Sequence, residues 1–130
     1  MARRISPKEA HDLIQQGYVY VDVRSTPEFE RGHPTGAVLI PIAEMGPMGM
    51  QPNPKFVEQV SARYPKDAKL ILGCEVGGRS ARAAAVLEQS GFTAVVDQRA
   101  GFGGARSPTG QVIEKGWRDE GLPVEVGPAK

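Results

Sequence analysis

Lys69-Leu70-Ile71-Leu72-Gly73-Cys74-Glu75-Val76-Gly77-Gly78-Arg79-Ser80 starts as a short apolar run, passes a glycine pair and leads into an Ala-rich segment. Residues 69–73 are too few for a helix and rich in branched side chains, so they read as a buried strand. Ser80 through Gln89 has the composition of a helix, ended by Gly91. A buried strand feeding a helix through a tight loop is the repeating unit of a parallel α/β sheet. Ligands of such sheets collect at the carboxyl ends of the strands, where this loop lies.

The loop's chemistry follows from its position. Backbone N–H groups before a helix point inward, and with the positive end of the helix they make an anion site. Gly77 and Gly78 remove the Cβ atoms that would resist tight curvature. The same features favour a thiolate, the nucleophilic form of cysteine. Arg79 adds a fixed charge at the end of the loop. Cys74 is therefore the candidate nucleophile, and Glu75, Val76, Gly77, Gly78 and Ser80 are the candidate cradle. A lone cysteine after an apolar run is equally read as a small buried hydrophobe. A carboxylate facing the thiol would favour its protonated form, so the functional reading needs Glu75 to point away.

Outward from the loop the alternation continues. Ser6-Pro7-Lys8-Glu9 has the pattern of a capping box with Pro at the first helical position. That helix is predicted to stop near Gly17. Tyr18 to Arg24 reads as a buried strand, Thr26-Pro27-Glu28-Phe29 as the start of a short helix, and Gly32 to Gly36 as a turn. Ala37-Val38-Leu39-Ile40 is another strand. Residues 45–54, rich in Met, Gly and Pro, read as a loop. Asn53-Pro54 begins a helix running to about Tyr64, and Thr93 to Val96 is a further strand. Residues 99–116 read as an ordered but irregular excursion. Trp117 and Gly121-Leu122-Pro123 suggest a terminal helix and its stop. The prediction is an α/β fold with a mostly parallel sheet and helices on both faces.

Composition bounds the rest. A length of 130 residues suits one domain spanning 1–130, and 40% apolar residues suffice for one core. Sixteen basic and 15 acidic side chains leave a net charge of +1, with no footprint for nucleic acid or an anionic membrane. No apolar stretch is long enough for a membrane span, and no apolar core of a signal peptide follows Arg3-Arg4. The expected location is cytoplasmic, in keeping with a single cysteine that has no internal disulfide partner. Cys74, His11 and His33 lack metal-ligand spacing, and no nucleotide-type glycine motif is present, so neither a metal nor an organic cofactor is expected.

Taken in order, Val21-Asp22-Val23-Arg24, Glu28-Phe29, Gly32-His33, Gly36-Ala37, Cys74 to Ser80 and Gly91-Phe92 resemble the rhodanese family. The resemblance runs from about Ser6 to Asp97, and Trp117 with Gly121-Leu122-Pro123 is similar to the usual family ending. It implies a rhodanese-like fold with a central parallel sheet of about five strands. It also implies a sulfurtransferase working by double displacement. A donor such as thiosulfate would load Cys74 as a persulfide, and a thiophilic acceptor, cyanide or a cellular thiol, would remove the sulfur. A protein sulfur acceptor is a further possible partner. The amides from Glu75 to Ser80 would hold the anionic sulfur.

Arg24 matches a position near the mouth of the site, either holding an anionic donor or forming an ion pair, with Glu28 as a candidate partner. Arg79 would bind the donor or brace the loop against Glu28 or Asp22. Asp22 and His33 read as structural. The sequence departs from the family pattern in three places. Gly32-His33-Pro34-Thr35-Gly36-Ala37 moves the turn's proline. Val76 stands where thiosulfate-specialised relatives carry a basic residue. The stretch before Trp117 is long, and its Arg99, Phe102 and Arg106 would cover the site, select an acceptor or simply pack on the surface.

Two rival functions use the same features. A Cys-based phosphatase or arsenate reductase needs a wider loop, with Arg six places after the Cys; here Arg79 is five places on and Ser80 takes the sixth. A sulfur carrier or interaction module of the same fold needs no turnover with small donors.

Overall fold

A computed structural model describes residues 2–129. The chain runs β1 (Arg3–Ile5), α1 (Pro7–Gln15), β2 (Val19–Asp22), α2 (Thr26–Arg31), β3 (His33–Pro34) and β4 (Val38–Leu39). It continues through β5 (Ala43–Gly46), β6 (Gly49–Pro52), α3 (Phe56–Arg63), β7 (Leu70–Gly73), α4 (Gly78–Gln89) and β8 (Val95–Gln98). It ends with β9 (Ala105–Arg106), β10 (Val112–Glu114) and β11 (Val124–Glu125).

Five strands form the central sheet in the order β1-β8-β7-β2-β4, and every pairing within it is parallel. Side chains alternate across its two faces as the pleat requires. Val21, Leu70 and Leu72 pack with Phe56, Val60, Ala83, Ala84 and Leu87, which places α3 and α4 on one face. Tyr20, Ile71 and Val96 pack with Ala10, Leu13, Ile14 and Trp117, which places α1 on the other. The two-sided burial explains why β7 reads as continuous apolar sequence. Each of its Leu and Ile side chains contributes roughly 1.5–3 kcal/mol by leaving water. Gly73, at the end of β7, lies beside the buried Tyr20 hydroxyl, which a Cβ there would strike.

Local signals hold where they are strong. Ser6 and Glu9 close the expected capping box: the Glu9 amide donates to Ser6 Oγ at 3.1 Å, and Glu9 Oε1 accepts from the Ser6 amide at 2.9 Å. At the start of α2, Glu28 Oε1 accepts from the Ser25 amide at 3.1 Å and from its hydroxyl at 2.8 Å.

Four expectations need correction. Arg3–Ile5 is an edge strand paired with β8, too short to signal itself by pattern. Residues 45–54 are not all loop: β5 and β6 form an antiparallel hairpin turning at Gly46 and Gly49, with its methionines largely exposed. The strand after α4 starts two residues later than Thr93, at Val95. Trp117 to Gly121 form turns instead of a terminal helix, and the indole is held in place by its neighbours. Its ring meets Tyr20 edge-on at 5.5 Å, and its Nε1 donates to the Pro123 carbonyl at 2.7 Å. Among the described residues, no helix is long and apolar enough to cross a membrane.

The parallel register decides where the chemistry sits. Asp22 pairs with Gly73, and Leu72 pairs with Asp97. The carboxyl ends of β2, β7 and β8 therefore bring Asp22, Arg24, Cys74 and Asp97 to one edge of the sheet.

Candidate active site

Cys74 follows the last residue of β7 and precedes α4, a 12-residue helix. The loop curls over the sulfur. The amides of Gly77 and Ser80 donate to Sγ at 3.1 and 3.3 Å. Gly77 makes the curl possible with φ +103°, and a Cβ there would strike the Arg99 carbonyl. Gly78 has no such constraint: it opens the helix, and a Cβ on it would meet open space. Of the predicted cradle, Gly77 and Ser80 contact the sulfur. Val76 points away and is 50% exposed.

Ser80 connects the sulfur to a carboxylate. Its hydroxyl oxygen lies 3.4 Å from Sγ and 2.5 Å from Asp97 Oδ1. The shorter contact takes the single hydroxyl proton, so the oxygen faces the thiol as an acceptor. Arg4 Nε donates to the other oxygen, Asp97 Oδ2, at 2.9 Å and balances its charge. Asp97 is 1% exposed and was not singled out in the sequence. The available signal is an aspartate ending an apolar strand, Val95-Val96-Asp97, as Asp22 ends β2.

The arginines divide by role. Arg79 is committed to bracing: its Nη1 and Nη2 donate to Glu28 Oε1 and Oε2 at 2.7 and 2.9 Å. The Arg79 hydrogen bonds hold the Glu28 carboxyl well below the usual range, at about 2, against the opposing effect of burial. Arg24 is buried, with four of its five guanidinium N–H groups engaged. Its Nε and Nη2 donate to Asp22, Nη2 also donates to the Gly32 carbonyl at 2.7 Å, and Nη1 donates to Glu75 Oε1 at 3.0 Å. Burial opposes the Arg24 charge, but the Asp22 and Glu75 carboxylates outweigh it and hold the pKa above the ordinary arginine range. Its partners are thus Asp22 and Glu75, not Glu28. Of the five guanidinium N–H groups, one on Nη1 at most is left for a ligand. Glu75 is drawn to Arg24, as the reactive reading of Cys74 requires.

His33 is structural. It stacks on Phe29 with centroids 3.6 Å apart, and its ring nitrogens meet the Phe29 carbonyl at 2.7 Å and Glu125 at 3.2 Å.

A cavity of about 480 Å³ opens at this edge, lined by residues that include Arg24, Glu28, Arg31, Glu75, Phe102 and Arg118. Glu75, the residue after Cys74, forms part of its wall, while Cys74 is only 1% exposed. Phe102 lies under Arg24, with its ring centroid 4.6 Å from the guanidinium carbon. Of the three residues expected to cover the site, only Phe102 reaches this cavity. Arg99 and Arg106 line a separate one with Arg4, Val76 and Glu114. Arg99 is held there by Glu114 through two contacts of 2.9 Å. Arg31 and Arg118, which sequence reasoning missed, stand exposed on the wall of the main cavity.

The rhodanese-like domain family matches residues 6–106. Thiosulfate sulfurtransferase 16, chloroplastic, of Arabidopsis thaliana is 38% identical over 122 residues, covering 94% of this chain and 92% of that protein. Rhodanese-like domain-containing protein 15, chloroplastic, of the same plant is 39% identical over 116 residues; the match covers 89% of this chain and 57% of the relative. The crystal structure of Rv0390 from M. tuberculosis superposes with a TM-score of 0.79 at 30% identity, covering 97% of this chain and 98% of that one. With a parallel five-stranded sheet, a cysteine loop between strand and helix and these relatives, the chain belongs to the rhodanese-like domain family.

Proposed function

We propose that the protein is a sulfurtransferase that carries sulfane sulfur on Cys74. The observation behind this reading is the convergence of the Gly77 and Ser80 amides on Sγ at the start of α4. Donors at fixed positions stabilise negative charge without reorganising, and both the thiolate and the persulfide are anions. With thiosulfate as donor, the Cys74 thiolate forms a bond to the outer sulfur. The donor's S–S bond breaks, and sulfite leaves with the electron pair. A thiophilic acceptor, cyanide or a thiol, then takes the outer sulfur and returns Cys74 to the thiolate.

Burial of Cys74 imposes a condition on this chemistry. At 1% exposure Cys74 is closed to solvent, so loading needs an opening beside it that leaves the Gly77 and Ser80 amides in place. Glu75 lies on the cavity wall and is held by Arg24, which makes that pair the latch of the loop.

Intact-protein mass after incubation with thiosulfate, mercaptopyruvate or a polysulfide tests the reading. Wild type gains one sulfur, about 32 Da, which cyanide removes, and Cys74→Ser gains none. No gain from any of the three donors would overturn it.

A further inference from the structure

We infer that Asp97 accepts the Cys74 proton through the Ser80 hydroxyl, so that the thiolate is made by moving a proton inside the protein. The inference rests on the reading of Cys74 as the sulfur-transfer nucleophile and adds how its thiol is activated. Cys74 is 1% exposed, so its proton has no direct path to water. The Gly77 and Ser80 amides that reach Sγ are donors and cannot take it. The Ser80 hydroxyl oxygen can: it lies 3.4 Å from Sγ with a lone pair towards it, because its own proton goes to Asp97 Oδ1 at 2.5 Å. Ser80 and Asp97 are both buried, so the chain of contacts from the sulfur to the carboxylate is closed to water along its length.

Two protons shift in one direction. The Sγ–H bond breaks as a bond to that proton forms at Ser80 Oγ, and the original Ser80 proton moves to Asp97 Oδ1. The electron pair stays on Sγ. Neutral Asp97 then donates to Ser80, and Ser80 donates to Sγ, so the thiolate has three donors. The group of three carries one negative charge before and after. Loss of the proton to water would instead leave two anions in the interior, one on each side of Ser80. Arg4 of β1 favours the form with the charge on Asp97: its Nε is 2.9 Å from Oδ2, and its side chain is 52% exposed. Glu88 of α4 lines a small cavity with Asp97 and Arg4. At the sulfur end, Arg79 of α4 interacts with the Cys74 charge, and burial holds the Tyr20 hydroxyl of β2 above its ordinary range, so it stays neutral. Both arginines keep their charge at any pH where the protein works. Sites that share one proton titrate as a unit. The thiolate fraction is therefore constant between the ordinary carboxylate and thiol ranges, about pH 4 to 8.

The test reads the ultraviolet absorbance of the thiolate against pH, with Cys74→Ser subtracted. Wild type is expected to show a thiolate signal that stays level from about pH 5 to 8. In Asp97→Asn the internal acceptor is gone, and in Ser80→Ala the bridge to it. The signal then follows a single titration, rising about tenfold per pH unit below its midpoint. Arg4→Gln changes an exposed side chain that the fold does not depend on. It keeps the level profile and raises it about threefold, whereas losing a cation that acted on the thiolate directly would lower it. A wild-type signal that climbs through this range like that of an isolated thiol would overturn the inference. So would a level signal that persists in Asp97→Asn and Ser80→Ala, or a lower one in Arg4→Gln. The measurement uses no sulfur donor. A level wild-type signal lost in the two buried variants therefore supports the relay even if thiosulfate, mercaptopyruvate and polysulfide all fail to load Cys74, a result that would remove the sulfurtransferase reading alone.

Discussion

Arg79 and Glu28, 51 residues apart in sequence, meet in a two-pronged ion pair with N–O distances of 2.7 and 2.9 Å. The pair joins the first turn of α4, which holds the Cys74 loop, to the first turn of α2. Glu28 has a second duty there, since its Oε1 also accepts from the Ser25 amide and hydroxyl. One carboxylate thus starts a helix and braces the sulfur cradle.

Breaking the brace should loosen the cradle. Arg79→Ala is expected to lose about 1–3 kcal/mol of stability, because Glu28 is left without its main partner. Arg79→Lys recovers part of the charge interaction but not the paired geometry. Urea unfolding gives the stability, and the rate of Cys74 sulfur gain by mass gives the functional cost. Loading that is unchanged in both variants would show that the pair does not position the loop.

The same pair sets an acid dependence. Glu28 is lowered from 4.5 to about 2 in the folded protein, chiefly by Arg79. A depressed carboxylate contributes stability above its unfolded pKa, and the contribution is lost as pH falls towards the folded value. Glu28 therefore stabilises the protein fully above about pH 4.5 and progressively less down to about pH 2. Glu28→Gln should be less stable at neutral pH and show a shallower loss between those two values, read from urea midpoints across the range.

Glu75 occupies Nη1 of Arg24 at 3.0 Å. Glu75→Gln keeps an oxygen for Nη1 but removes the charge, which weakens the latch. Thiosulfate loading of Cys74 is expected to rise about tenfold, and alkylation by iodoacetamide should also quicken. Loading slower than wild type would instead assign Glu75 a direct part in the reaction.

Ser80→Ala removes the group between Cys74 Sγ and Asp97. The buried Asp97 oxygen loses its 2.5 Å hydrogen bond, at an expected cost of about 1–3 kcal/mol. Ser80→Thr keeps the hydroxyl and should retain more of the stability. Thermal unfolding of both variants checks the order, which would be reversed if the added methyl could not fit beside the sulfur.

Gly77→Ala tests the curl of the loop. The position needs φ +103°, and a methyl there would meet the Arg99 carbonyl. Backbone strain alone costs about 1–3 kcal/mol. Gly78→Ala should be mild or slightly stabilising, since helix is favoured and the space is open. Unfolding midpoints of the two variants should differ clearly; equal midpoints would mean the loop relaxes around residue 77.

What the sequence alone determined is local or strongly patterned. The Ser6–Glu9 box, the buried run of β7, the Ala-rich α4 and the glycine-containing loop after Cys74 all obey rules that act over a few residues. The ordered short motifs were enough for the family resemblance. Elements too short to carry a period, such as β1 and the β5–β6 hairpin, were missed because pairing with another strand creates them. The site divides in the same way. The strand–loop–helix setting of Cys74 was legible, because the three are contiguous, but that only the Gly77 and Ser80 amides of the loop reach its sulfur was not. Only the tertiary structure decided that Arg24 is occupied by Asp22 and Glu75, that Arg79 is bound to Glu28 and that Asp97 reaches Cys74 through Ser80. These contacts depend on which strand ends become neighbours, and a charged side chain's partner is set by distance in space, which sequence spacing does not encode.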